Sequence, residues 1–294
     1  GTSAVTLAQS GNVFGDLAVT GGTTQITEND AITDGAVWDI TGTVTLLDES
    51  ASGITIDDGI AGLTGLSLTT AGSFSVAGDT TPTLDSLTID VDPSTAGDQA
   101  YSLSGFGGSL SLDLAETPDS SDTLLLSAST FDGDFTLTAS GGALGIQGTI
   151  ASDGGDITFN SPVTLAGNAT IETDITGGTA HAGRIVFNDA VNATSHGVET
   201  LALDAAAGDA DENGGSVTLN AVGTSWNLGG LTVSTAGNGA GTDGTLTLNG
   251  DVATTTGGDI DFTGASLVAL GADIIIDSNS VGGSAAGDIL FAPG

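Results

Sequence analysis

Six segments of this chain open on glycine and run into one alternation of apolar and polar residues, and no other feature constrains the fold as tightly. From Gly155 the chain reads Gly-Asp-Ile-Thr-Phe-Asn. Related phases open at Gly183 (Gly-Arg-Ile-Val-Phe-Asn), Gly215 (Gly-Ser-Val-Thr-Leu-Asn) and Gly244 (Gly-Thr-Leu-Thr-Leu-Asn). Two more open at Gly258 (Gly-Asp-Ile-Asp-Phe-Thr) and Gly287 (Gly-Asp-Ile-Leu-Phe-Ala). Four of the five intervals fit one unit of roughly 29 residues, and the interval from Gly244 to Gly258 is half of it. One unit has room for three strands, at residues 157–159, 163–165 and 169–172. Period-two alternation places Ile157, Phe159, Val163, Leu165 and Ile171 inward, with Thr158, Thr164, Thr170 and Glu172 outward. The matching core positions of later phases are Ile185, Phe187, Val217, Leu219, Ile260 and Phe262.

The chain reads as all-β. Gly, Thr, Ser and Asp recur too often for an amphipathic helix to survive, while short runs such as Val44-Thr45-Leu46 and Leu66-Ser67-Leu68 alternate cleanly. Three short strands per turn of chain, each pairing with its equivalent about 4.8 Å away, describe a parallel β-helix, or β-solenoid. Roughly ten coils of that kind would stack to roughly 50 Å at the sheet spacing. A β-sandwich is the rival, because hairpin-type pairs occur at Asp34-Gly35, Asp58-Gly59, Asp132-Gly133 and Asn213-Gly214. The near-constant repeat favours the solenoid. Residues 151–294 form its regular part, whereas residues 1–150 keep the strand grammar without the signature and read as irregular coils with longer loops. Residues 91–99 and 116–122 are the expected protrusions.

The second half resembles the repeats of filamentous haemagglutinin-like proteins and other giant bacterial exoproteins. Residues 155–160 with 162–165 carry the resemblance, followed by 188–191, 197–203, 214–220, 230–234, 257–262 and 267–276. The resemblance implies a right-handed β-helix, export across a bacterial envelope, and a role in adhesion or surface structure. The family's secretion domain is not recognisable here, and the family is not generally so poor in lysine and arginine.

That poverty is extreme: 37 acidic residues stand against one basic residue, Arg184, for a formal charge of −36. Nucleic acid and anionic membrane surfaces need cationic side chains and are excluded as direct partners. No run of about 18 apolar residues exists to span a bilayer. Without cysteine there is neither a disulfide framework nor a thiolate site, so stability must come from backbone pairing and repetitive packing. Gly1 reads as a processed start, and the expected location is secreted, extracellular or cell-surface.

Candidate chemistry is sparse. Asp209-Ala210-Asp211-Glu212-Asn213-Gly214 matches the first half of a calcium loop, so Asp209, Asp211 and Asn213 are candidate calcium ligands, although Asn220 stands where the closing Glu belongs. Calcium is the one cofactor the sequence suggests. Asn160, Asn188, Asn220 and Asn249 share a phase and are candidates for a stacked asparagine ladder. His181 and His196 sit in no catalytic spacing, and paired carboxylates such as Asp57-Asp58 are expected by composition alone, so the chain is not read as an enzyme. Trp38, Tyr101 and Trp226 are gap fillers, contact residues or sugar-stacking platforms. Phe291-Ala292-Pro293-Gly294 stops in the phase where an earlier unit continues as Phe159-Asn160-Ser161-Pro162-Val163, which predicts an open strand edge. The expected partner is the chain itself, with cell-surface glycans as the alternative.

Overall fold

A computed structural model describes residues 4–7, 18–28, 32–33, 35–40, 42–48, 53–61, 65–70, 74–78, 86–91, 99–104, 106–107, 110–114, 123–126, 129–139, 143–175, 181–255, 257–280 and 285–293. The described elements are all strands, with no helix among them. They fall into two compact units, one of residues 1–132 with 137–143, the other of residues 133–136 with 144–294.

Within the second unit three parallel ladders run side by side. In the first ladder Ile157 faces Ile185, then Val217, Leu246 and Val268, each partner lying one repeat further along the chain. In the second, Val163 faces Val191, and single bridges carry the line through Val222 to Val252, which faces Ile276. In the third, Ala169 faces Leu201, then Leu231, Ile260 and Ile289. The second and third segments of the first full repeat are continuous as Val163–Glu172, so they make one bent strand instead of two.

Register follows from burial. The inward residues Ile157, Phe159, Val163, Leu165, Ile171, Ile185, Phe187, Val217, Leu219, Ile260 and Phe262 are all buried. A one-residue slip would turn each of these strands inside out, so the apolar alternation pins the pairing. Phe159 stacks on Phe187 with ring centroids 4.7 Å apart, a repeat-to-repeat contact inside the core.

One reading of the repeat is corrected by this register. The phases at Gly258 and Gly287 belong to the third ladder, because Ile260 pairs with Leu231 and Ile289 with Ile260. The short interval from Gly244 to Gly258 therefore separates two corners of one repeat. The first-ladder strand of the following repeat is Leu267–Leu270, which has no Gly-Asp-Ile opening.

The first unit is also parallel. Thr24 faces Val44, Val44 faces Leu66 and Leu66 faces Leu87. A second ladder pairs Ile54 with Phe74, and Phe74 with Tyr101. Along the first of these ladders equivalent residues recur at a shorter interval than in the second unit. Residues 92–98 and 115–122, which cover most of the expected protrusions, lie outside the described residues.

Among the described residues every pair with a defined register is parallel, a pattern that hairpins do not produce. Asn213-Gly214 illustrates why its turn chemistry misleads. The strand before it, Thr200–Asp204, pairs with 169–172 and 230–234, and the strand after it, Val217–Leu219, pairs with 185–187 and 246–248. The turn joins two ladders; it does not close a hairpin.

Candidate functional site

Strand ladders satisfy backbone groups along the strands, but the turns between them present N–H donors that also need partners. In the second unit side-chain acceptors take over that task from one repeat to the next. Asp134 Oδ1 accepts from Asp156 N at 2.9 Å, Asp156 Oδ1 from Arg184 N at 2.7 Å, and Asp259 Oδ1 from Asp288 N at 2.8 Å. The Asp of the Gly-Asp-Ile signature is therefore a peg for the equivalent residue of the following repeat. Both histidines do the same: His181 Nδ1 accepts from Asn213 N and His196 Nδ1 from Asn227 N, each at 3.1 Å. Part of the acidity has a structural origin, since carboxylates offer several acceptor sites and lysines offer none.

The corners are closed by glycine and a buried hydroxyl. A Cβ on Gly183 would collide with the carbonyl of Gly155, and one on Gly215 with that of Gly183. Gly258 and Gly287 make a second such column against Gly229 and Gly258. Behind these glycines Ser152 Oγ donates to Gly155 O at 2.6 Å, Thr173 Oγ1 to Gly183 O at 2.8 Å and Thr235 Oγ1 to Gly244 O at 3.2 Å. At the second corner Thr254 Oγ1 donates to Gly258 O at 2.6 Å and Ser278 Oγ to Gly287 O at 2.7 Å. These hydroxyls are absent from the sequence reading. Their signal is a Thr or Ser at the end of a strand, with a repeat glycine shortly ahead of it.

The asparagine positions interact in different ways. Asn188 Nδ2 donates to Asn160 Oδ1 at 2.8 Å, a side-chain rung between repeats. Asn220 Nδ2 donates instead to the backbone carbonyl of Asn188. The Asn249 amide oxygen lies over Gly271, where a Cβ would strike it.

The acidic loop is stitched to its neighbour in the same manner. Asp211, at φ 67°, accepts from Ala240 N through Oδ1 at 2.9 Å. Asn213 Oδ1 accepts from Thr242 N at 2.8 Å and from Thr242 Oγ1 at 2.9 Å. Asp209 lies in the turn leading into them. Glu212 is buried, and its Oε2 finds no hydrogen-bond partner among the described residues. No group of three or more His, Asp or Glu side chains close enough to hold a metal ion occurs among the described residues. Asp211 Oδ1 and Asn213 Oδ1, two oxygens of the candidate calcium loop, thus each accept from the backbone of the next repeat.

A cleft opens where the second ladder meets the turns of four successive repeats. Its volume is about 570 Å³, and its walls include His196, Ser225, Asn227, Asp251, Ile275 and Asp277. Trp226 stands beside it, half exposed, with its ring 4.7 Å from that of His196. The pair is held firmly. Asn192 Oδ1 accepts from Ser225 N at 3.0 Å and Trp226 N at 3.2 Å, and Trp226 O accepts from Ala193 N at 3.0 Å. Glu199, buried, accepts from Ser195 N at 3.2 Å and fixes the turn that carries His196. Trp38, by contrast, is fully buried in the first unit. His196 and Trp226 stand one repeat apart in the sequence, and that spacing is the signal for their meeting.

No protein-family model, curated protein or solved structure matches the chain.

Proposed function

We propose that the chain is a right-handed parallel β-helix serving as a stiff structural unit of a secreted bacterial surface filament, sheath or giant exoprotein, and that it self-assembles end to end. The three ladders of the second unit supply the three faces of each coil, and the strong preference for right-handed crossovers between parallel strands sets the hand. In this reading, as in the filamentous haemagglutinin-like resemblance, the working part is the backbone and no side chain is catalytic.

One observation carries the proposal. Leu267, Leu270, Ile289 and Phe291 are 57%, 62%, 39% and 49% exposed, while the neighbouring-strand residues Leu246, Leu248, Ile260 and Phe262 are buried. The outermost described strands hold apolar side chains without a layer above them. An apolar strand edge of this kind is a template for a further strand in the same register. In this proposal a second copy of the chain can pair there in the same register.

Sedimentation velocity across a concentration series tests the assignment. The wild type is expected to form growing oligomers, more readily as salt screens its negative charge within about 8 Å. Phe291→Asp combined with Leu270→Asp is expected to remain monomeric. A wild type that stays monomeric at every concentration and salt level overturns the proposal.

A further inference from the structure

We propose that the cleft beside Trp226 binds an uncharged saccharide. The argument is separate from self-assembly, because it needs no second copy of the chain.

The cleft volume, about 570 Å³, lies within the range of small-molecule sites, ~300–1,000 Å³. Its chemistry is that of polyol recognition. Asp251 and Asp277 each spend Oδ1 on a backbone N–H, of Ile275 and Asn279 respectively, at 2.8 Å. Oδ2 of each remains to accept from a ligand hydroxyl. His196 Nδ1 accepts from Asn227 N–H, which places the proton of the neutral ring on Nε2 as a donor. Ser225 and Thr224 add hydroxyls that donate or accept. An apolar patch of Val252, Ala253 and Ile275 lies among these polar groups. Beside them Trp226 offers the broad apolar face on which the C–H face of a sugar ring packs.

Charge selects among saccharides. The two carboxylates in the wall, and a net charge of −36, repel uronates and sulfated sugars. No lysine or arginine lines the cleft among the described residues, so no fixed cation there pairs with a phosphate. A divalent ion would need ligands that the described residues do not group together. A neutral hexose or N-acetylhexosamine chain satisfies the acceptors, the imidazole donor and the aromatic face together. The platform also needs no ordering on binding, since Asn192 and Glu199 already fix both turns, which lowers the entropic cost of recognition.

The test is tryptophan fluorescence and calorimetry of the whole chain with cellohexaose, mannohexaose and N-acetylchitohexaose, alongside glucosamine hexamer and polygalacturonate. Trp38 is buried, so a ligand-induced change in emission reports Trp226. At least one neutral hexamer is expected to bind saturably and to keep binding in high salt. Trp226→Ala and Asp251→Ala are each expected to weaken it about tenfold or more, the loss of one good contact. Far-UV circular dichroism of both variants checks that the fold is retained, and Trp226→Phe should recover part of the affinity. Failure of all three neutral hexamers to bind overturns the proposal. So does binding that Trp226→Ala leaves unchanged, or binding confined to glucosamine hexamer and abolished by salt. Polygalacturonate binding as tight as that of a neutral hexamer would also overturn it.

Discussion

Thr173 is a buried hydroxyl that keeps a glycine carbonyl satisfied where two ladders turn into one another. Thr173→Val preserves the shape and removes the donor, leaving the Gly183 carbonyl without it. The expected loss is about 1–3 kcal/mol, read from denaturant midpoints. An unchanged midpoint would mean that the hydroxyl is dispensable. Glu172 works in the opposite sense. It sits in register with Asp204 on the adjacent strand, and burial first, then the charges of Asp204 and Asp174, push its pKa above the ordinary value of 4.5. An acid with a raised folded pKa holds more protons folded than unfolded, so stability falls as pH rises from about 4.5 through the folded pKa. Glu172→Gln is therefore expected to stabilise the chain at pH 7 and to flatten its stability profile above the acid range, as measured by thermal melts across pH. A variant that melts earlier than wild type at neutral pH contradicts this. Asp156 shows the reverse balance: burial works to raise its pKa, but the hydrogen bonds and charge of Arg184 hold it below the ordinary value. That pair is largely solvent-exposed and contributes little to stability.

Among elements, the glycine columns decide how closely repeats can stack. Gly183→Ala and Gly258→Ala each drive a methyl group into the backbone of the previous repeat. Each is expected to cost about 1–3 kcal/mol or more, by analogy with overpacked cores. Gly167→Ala meets only the side chain of Gln147 at ordinary contact distance and should be tolerated. Equal losses at all three sites would mean that glycine serves these turns through flexibility and not through close approach. This difference also explains what the sequence reveals by itself. The first ladder is legible because Gly, apolar alternation and Asn recur together from 155, 183, 215 and 244. The third ladder reads from sequence as a half-repeat because its corners at Gly258 and Gly287 face the same steric demand and begin with the same residue. Gly133-Asp134-Phe135 carries a related opening that the repeat pattern alone does not single out, although Asp134 holds Asp156 N and Phe135 N donates to Asp156 O. The saccharide cleft is illegible for another reason. Its walls come from four repeats, and sequence places His196, Trp226, Asp251 and Asp277 near one another only after the register is known.

At the scale of the molecule, stability without a single cysteine rests on parallel pairing between repeats. The lack of cysteine also gives that claim a clean test. Thr158 and Val186 are register partners on adjacent first-ladder strands, both half-buried and outward of the core. Adjacent strands lie about 4.8 Å apart, within the ~4.4–6.8 Å that a disulfide spans between Cα atoms. Thr158 and Thr218 are separated by the intervening strand, roughly twice that distance and beyond the reach of a disulfide. Oxidation of the double variant Thr158→Cys/Val186→Cys, read by mass spectrometry of the monomer, is predicted to give an internal disulfide without loss of fold. Thr158→Cys/Thr218→Cys is predicted to stay reduced. Cross-linking of the second pair, or failure of the first, would contradict parallel stacking of successive repeats and with it the filament reading.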